Sequence, residues 1–356
     1  MSLQKLKVRD TPITIGDEAL EALQDFLTSR NRIFFLADFR TLRKCLPLVE
    51  SLLPPEKEVH TLVIQEGERF KNINTCLLLW KQLQQLEAKR NDLFVNVGGG
   101  VVCDMGAFVA STFKRGMDFI NVPTSLMAMC DAAIGGKSGI DLENIKNQVG
   151  LFTDPSAIYI YPGFLKSLDR RQLINGFAEI IKHALIADVS LWKDINKLAD
   201  PADLTTEILF RSVKVKTDVV TADFNEKGKR KILNFGHTIG HALESYSMKH
   251  DQHPIMHGEA VALGIICEVY ISTQQNGLPN SVMENVFKYI FKYYLKYTFS
   301  LSAIPELIQL IRQDKKNQDG RFSLSLLKEI GTCDYDVFCT ESEIVTALNV
   351  YHDLKF

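Results

Sequence analysis

Five of the eight histidines of this 356-residue chain (His237, His241, His250, His253 and His257) fall within a stretch of 21 residues. His237 and His241 stand at i and i+4, so a helix presents both on one face. Neutral imidazole is the commonest nitrogen ligand for a metal and the usual proton carrier near neutral pH. Upstream, Glu179 sits among Phe177, Ala178, Ile180 and Ile181. A carboxylate in that apolar setting needs a partner, and a metal is one. A helix-surface pair with Lys182 at i, i+3 is another. One carboxylate with two histidines is the donor set of catalytic zinc, because it leaves positions open for water or substrate oxygens. Spacing alone leaves His241, His250, His253 and His257 open as the partner of His237.

A second chemistry lies earlier in the chain. Gly98-Gly99-Gly100-Val101-Val102-Cys103-Asp104 follows an apolar run and opens a helical pattern. Such a turn lets a phosphate approach free N–H groups at the positive end of a helix dipole. It is not GxGxxG, so the usual dinucleotide fingerprint is absent, and a bare strand–helix turn is the competing reading. Asp38 ends another apolar run, where an acid serves either as a ligand for ribose hydroxyls or as a helix N-cap. Lys137 lies on the glycine-rich bend Gly135-Gly136-Lys137-Ser138-Gly139, with Lys146-Asn147 after it and Lys114-Arg115 before it. Net charge is only -2, so basic residues gathered on loops point to a local anion site.

The elements that must position these groups fall into two blocks. Arg32–Asp38, Val59–Ile64, Leu93–Val97, Phe119–Pro123 and Ala157–Tyr161 are short apolar runs expected to be buried strands of a parallel sheet. Helical stretches lie between them, such as Asn74–Lys89 with its stripe of Leu77, Leu78, Trp80, Leu83 and Leu86. This alternation predicts an α/β, doubly wound Rossmann-like domain over 1–165. Beyond it, Leu168–Ala187, Leu204–Thr221, Asn234–Ser247 and Gly258–Asn276 read as helices, and the tail from Met283 to Phe356 is expected to be mostly helical. A mainly α-helical domain over 166–356 follows, with a ligand cleft expected between the two.

Composition bounds the rest. Hydrophobic residues make up 46% and charged residues 24%, ordinary for a soluble globular chain. No bulk charge favours nucleic acid or membrane, and no apolar run approaches the ~20 residues needed to span a bilayer. The start, Met1-Ser2-Leu3-Gln4-Lys5, lacks a signal-peptide core, and the seven scattered cysteines contain no CxxC pair. A cytoplasmic protein with reduced thiols is expected.

Taken together, GGGVVCDMGAF, RGMDFINVPTSL, DAAIGGKSGID, KNQVG, GFAEIIKH, the lysine of VKVK, RKILNFGHTIGHALE, HGEAVALG and DKKN occur in this order along nearly the whole chain. The set resembles the 3-dehydroquinate synthase family. The resemblance implies conversion of 3-deoxy-D-arabino-heptulosonate 7-phosphate to 3-dehydroquinate and phosphate, in the shikimate route to aromatic amino acids. The C5 alcohol is oxidised transiently, phosphate is eliminated, the hydride is returned, and an aldol step closes the ring. NAD and one divalent metal, zinc or cobalt, are implied, and so is a homodimer.

Residue by residue, the resemblance implies that Asp38 holds the adenosine ribose. Glu66, Gly67, Glu68, Arg69, Phe70 and Lys71, then Gly99, Gly100, Val101, Val102 and Asp104, then Thr124, Ser125, Phe164, Leu165, Lys166 and Ser167 line the NAD site, with Lys137 and Lys146 adjoining. Glu179, His237 and His257 hold the metal. Lys182, His241, Asn234 and Asp131 serve the chemistry. Arg115, Lys137, Lys146, Asn147, Lys216, Arg230 and one of Lys315 and Lys316 bind substrate, Arg115 by reaching across to a neighbour. Cys103, Arg40 and the Thr124-Ser125 pair depart from the family's usual residues, and Cys103 beside a phosphate site suggests sensitivity to oxidation. Competing expectations are a sister cyclase acting on sedoheptulose 7-phosphate or glucose 6-phosphate, a metal-dependent polyol dehydrogenase and a non-catalytic binding protein.

Overall fold

The computed structural model describes residues 4–142, 145–312 and 321–355. Lys315 and Lys316 lie outside them. In chain order the first elements are β1 (Gln4–Val8), β2 (Thr11–Ile15), α1 (Ala19–Thr28), β3 (Arg32–Asp38), α2 (Phe39–Lys44), α3 (Leu46–Glu50) and β4 (Glu58–Ile64). They continue with α4 (Ile73–Gln85), β5 (Leu93–Gly98), α5 (Gly100–Thr112), β6 (Asp118–Pro123), β7 (Lys137–Leu142), β8 (Ile145–Phe152) and β9 (Ala157–Ile160). Then come α6 (Arg170–Ala187), α7 (Val189–Ile195), α8 (Thr206–Ala222), α9 (His237–His250), α10 (His257–Gln275), α11 (Asn280–Phe291), α12 (Ile304–Arg312), β10 (Phe322–Glu329), β11 (Thr332–Cys339) and α13 (Glu341–Asp353).

The chain divides into two compact units, residues 1–173 with 216–221, and residues 174–215 with 222–356. In the first, all five expected strands join one sheet in the order β1-β2-β9-β6-β5-β3-β4. The pairings from β2 through to β4 are parallel, and β1 adds an antiparallel edge. The reason is visible in β5, where every residue from Leu93 to Gly98 is buried. A strand covered on both faces by helices needs a continuous apolar run rather than alternation. Leu36, Phe94, Val102, Met105 and Phe108 belong to one core cluster with Leu79 and Leu83 of α4.

The second unit is mainly helical, with one correction. The tail is not helical throughout, because β10 and β11 form an antiparallel hairpin. Phe322, Leu324 and Leu326 alternate with Ser323 and Ser325, a period of two that a helix cannot use. Gly331, at φ 89°, makes the turn. Among the described residues no helix is long and apolar enough to cross a membrane.

Candidate active site

Parallel strands end their carbonyl edges together, and loops leaving that edge gather there. The register pairs Asp38 with Ile64 and Gly98 with Pro123. Asp38, the loop after β4, the glycines after β5 and Thr124-Ser125 after β6 therefore leave the same edge of the sheet. Gly99 caps α5 with no side-chain partner for the first turn. A Cβ at Gly99 would lie 3.3 Å from Ser125 Oγ, and one at Gly100 would lie 3.3 Å from Ala132 Cβ. Glycine at both positions thus keeps the space beside Ser125 and Ala132 free of a further side chain. The donor-rich helix end and this space fit a dinucleotide pyrophosphate.

Asp38 is an N-cap. Its Oδ1 accepts from the backbone N–H groups of Arg40 at 2.9 Å and Thr41 at 2.8 Å, in a capping box. The cap uses Oδ1, so the two roles weighed for this residue are compatible. Lys71 is buried and donates to Asp104 Oδ2 at 2.6 Å and to Asn147 Oδ1 at 2.8 Å. Burial works against its charge, but Asp104, Glu68 and Asp141 together outweigh burial and hold the ammonium above its ordinary range. Glu68 lies 3.7 Å from Lys146 Nζ. Gly67, at φ 102°, turns the loop, and Arg69 stacks over Phe70. Phe164 is buried, with Leu165, Lys166 and Ser167 following it in a short helical turn after β9.

Lys216 Nζ pairs with Asp131 Oδ1 at 2.6 Å. Asn147 is left-handed at φ 52° and its N–H donates to Asp141. Lys137 is exposed at the start of β7, after Gly135 and Gly136 in the left-handed region. Arg115 is exposed and left-handed at φ 65°. The setting of Cys103 argues against the expected redox sensitivity. Its thiol is buried, 3.7 Å from Gly98 O, and burial pushes it far above the usual thiol range. A thiol that does not ionise is a poor target for oxidants. All seven cysteines are free.

The second unit holds the histidine centre. Glu179 on α6 is 0% exposed, and neither of its carboxylate oxygens accepts a well-directed hydrogen bond. Lys182 Nζ, one helical turn on, makes ion-pair contact with Oε2. Glu179 Oε1 faces two imidazole nitrogens, His237 Nε2 at 3.6 Å and His257 Nε2 at 3.9 Å. The opposite nitrogens are occupied. His237 Nδ1 lies 3.2 Å from Phe235 O, and His257 Nδ1 lies 3.2 Å from Glu244 Oε2. Such partners fix the tautomer and leave each Nε2 lone pair for a metal. His241 adds a third imidazole, with all three rings offering a nitrogen within 4.8 Å of one another. His250 instead pairs with Glu306 at 3.1 Å, and His253 is exposed, so neither joins the cluster. A buried carboxylate short of hydrogen bonds, facing two oriented imidazoles, fits a divalent cation.

Tight helix contact brings these rings together. Gly236, at φ 79°, lets the chain turn into α9. A Cβ on Gly264 would lie 2.0 Å from Gly236 O, and one on Gly240 would lie 2.8 Å from Ala260 O. Buried Glu268 on α10 accepts from Gly236 N at 2.7 Å, capping α9 where its N–H groups lack partners. Asn175 Oδ1 accepts from Gly258 N at 2.6 Å. Arg230, 1% exposed, donates to Phe224 O at 2.6 Å, and Asn234 donates to Glu226 Oε1 at 3.0 Å.

The sequence reading missed Glu244, Glu226, Asp223 and Glu268. Glu244 had a signal, since it stands at i+7 from His237 and i+3 from His241 on one helix face. Glu268 had none, because only packing brings α10 against the start of α9.

The family models for the N-terminal and C-terminal parts of 3-dehydroquinate synthase match residues 61–175 and 176–317. The chain belongs to the 3-dehydroquinate synthase family. A 3-dehydroquinate synthase from Parabacteroides distasonis is 40% identical over 347 residues, covering 96% of this chain and 98% of that protein. Among solved structures, a 2-deoxy-scyllo-inosose synthase complexed with carbaglucose-6-phosphate, NAD+ and Co2+ superposes with a TM-score of 0.83 at 21% identity, over 98% of this chain and 99% of that one. A 2-epi-5-epi-valiolone synthase from Streptomyces hygroscopicus, with NAD+ and Zn2+ bound, gives 0.83 at 23% identity, over 99% of both chains. At that identity these two share the fold with this family member, an α/β domain followed by a helical one.

Proposed function

We propose that this chain converts 3-deoxy-D-arabino-heptulosonate 7-phosphate to 3-dehydroquinate and phosphate, a lyase reaction of the shikimate route. The observation that carries the reading is the buried Glu179 carboxylate facing His237 Nε2 and His257 Nε2, in a member of this family. Glu179, His237 and His257 would hold one divalent metal, zinc or cobalt. The glycine turn with Asp38, Lys71, Asp104, Thr124 and Ser125 would hold NAD. When bound, NAD supplies a transient hydride acceptor and the metal a Lewis acid for the C4 and C5 hydroxyls.

The chain's own residues supply the rest. Arg230, buried and held from its own backbone carbonyl neighbourhood, suits the substrate carboxylate, because guanidinium meets carboxylate with two donors in one plane. Lys216, paired with Asp131, is the second cation for that end, and the pair can exchange partners when an anion arrives. Lys137, Lys146, Asn147 and Arg115 are the groups for the phosphate, and one of Lys315 and Lys316, which lie outside the described residues, is assigned to substrate by the family resemblance. His241, one turn from His237, is the proposed proton carrier, directly or through water. Lys182, in contact with Glu179, and Asn234 are the remaining groups assigned to the chemistry. The homodimer, with Arg115 serving the neighbour, and a cytoplasmic location are part of the proposal.

The test is phosphate release from 3-deoxy-D-arabino-heptulosonate 7-phosphate with NAD and zinc, while the NADH absorbance band is followed. Phosphate release without net NADH is expected. Turnover of sedoheptulose 7-phosphate instead assigns the chain to a sister cyclase, and net NADH from a simple polyol makes it a dehydrogenase. His237→Ala is expected to lose the metal and nearly all activity, and an intact kcat in that variant would sink the metal assignment.

A further inference from the structure

The first turn of α2, just past the end of β3, carries an arginine that the function above does not use. Arg40 follows Asp38 by two residues and is held from two sides. Its Nη1 donates to Asp169 Oδ2 at 2.6 Å, and its Nε donates to Glu66 Oε2 at 3.3 Å. Asp169 itself accepts from Gln172 N at 2.9 Å, so it is fixed at the start of α6. In dinucleotide sites an acid at this strand end takes ribose hydroxyls, whereas an arginine there accommodates the 2′-phosphate of NADP. Here both residue types are present. The arginine is occupied by carboxylates, and the acid is fixed by the α2 cap.

We infer that Asp169 and Glu66, by clamping Arg40, make this chain take NAD and reject NADP. Asp38, Glu66 and Asp169 set three negative charges against Arg40 and the neighbouring Lys44, whose Nζ donates to Ser167 O at 3.3 Å. The balance at this corner is one negative charge. A phosphate monoester brings nearly two more at neutral pH. To reach the guanidinium it must displace two carboxylates already bonded to it. A free 2′-hydroxyl carries no charge and needs only an acceptor, which Asp38 offers. An unclamped Arg40 would weaken that preference, since guanidinium binds phosphate bidentately. The inference rests on the assignment of the dinucleotide to this edge of the sheet.

The test is direct titration of substrate-free protein with NAD and with NADP, read by calorimetry. The wild type is expected to bind NAD at least about 100-fold more tightly than NADP. Asp169→Asn keeps an acceptor for Gln172 N but removes the charge that holds Arg40. It is expected to tighten NADP roughly tenfold, the scale of one screened charge pair, with NAD changed less than about threefold. In Asp169→Asn with Arg40→Gln the gain is expected to disappear. Glu66→Gln, which frees the other side of Arg40, is expected to move NADP affinity in the same direction. Matching melting temperatures establish that each variant is folded. Unchanged NADP affinity in both single variants overturns the inference, and so does a gain that survives Arg40→Gln. A wild type that binds neither dinucleotide instead removes the nucleotide site itself.

Discussion

Glu244 Oε2 lies 3.2 Å from His257 Nδ1, on the side of the ring away from Glu179. The pair joins α9 to the first residue of α10, so one contact sets both the tautomer and the aim of His257. Removing such a partner typically weakens a metal site by about 10- to 100-fold. Glu244→Gln is expected to raise the zinc dissociation constant by about that factor, measured by competition with a chelator. The melting temperature of the metal-free protein is expected to stay near wild type. Unchanged zinc affinity would show that His257 is aimed by packing alone.

Asp223 organises the loop that carries Arg230. Its carboxylate accepts from Lys227 N at 3.0 Å, Gly228 N at 2.7 Å and Arg230 N at 3.1 Å. Burial pushes its pKa up, but these three donors outweigh burial and hold it below the ordinary 3.8. A depressed carboxylate contributes stability that is present above its unfolded value and is lost as pH falls through its folded value. The loop is therefore expected to loosen only below about pH 4. Amide exchange at Gly228 and Arg230 checks this, with protection lost on acidification in the wild type. Asp223→Asn is expected to lack that step and to raise KM several-fold at neutral pH with a smaller effect on kcat.

Gly264 allows α9 and α10 to touch. A Cβ there would meet Gly236 O at 2.0 Å and Gly240 N at 2.7 Å, both backbone atoms with no flexible end to move aside. Gly264→Ala is expected to destabilise the fold by about 1–3 kcal/mol, the usual scale of overpacking. Because α9 carries His237 and α10 carries His257, zinc affinity is expected to fall in parallel. Urea unfolding and chelator competition on the same sample test the coupling, and a loss of stability without loss of zinc would break it.

Cys103 is expected to be inert. Its buried thiol faces Gly98 O and is held protonated by its surroundings. Peroxide titration of wild type and Cys103→Ala is expected to give the same inactivation rate. A protected Cys103→Ala would mean that the segment opens far enough to expose the sulfur.

Much of the fold was legible because buried parallel strands are written as continuous apolar runs. Arg32–Asp38 and Leu93–Gly98 needed no partner information to be recognised as strands. The β7–β8 and β10–β11 hairpins were missed. In β10 the alternation of Phe322, Leu324 and Leu326 with serines was present but sat in a tail dominated by helical patterns. The antiparallel edge strand β1 is half exposed, and its residues carry little hydrophobic signal.

The sequence by itself determined which groups could act. It placed His237 and His241 on one helical face, put Glu179 in an apolar setting, and set glycines between a strand and a helix, because periodicity and local apolarity are properties of neighbours along the chain. Tertiary structure decided which groups meet. It joined His257 to Glu179 and Glu244 while leaving His250 to Glu306, and it gave Arg40 to Asp169 across 129 residues of chain. Those choices depend on how closely helices approach and on strand register, and a linear pattern carries neither quantity.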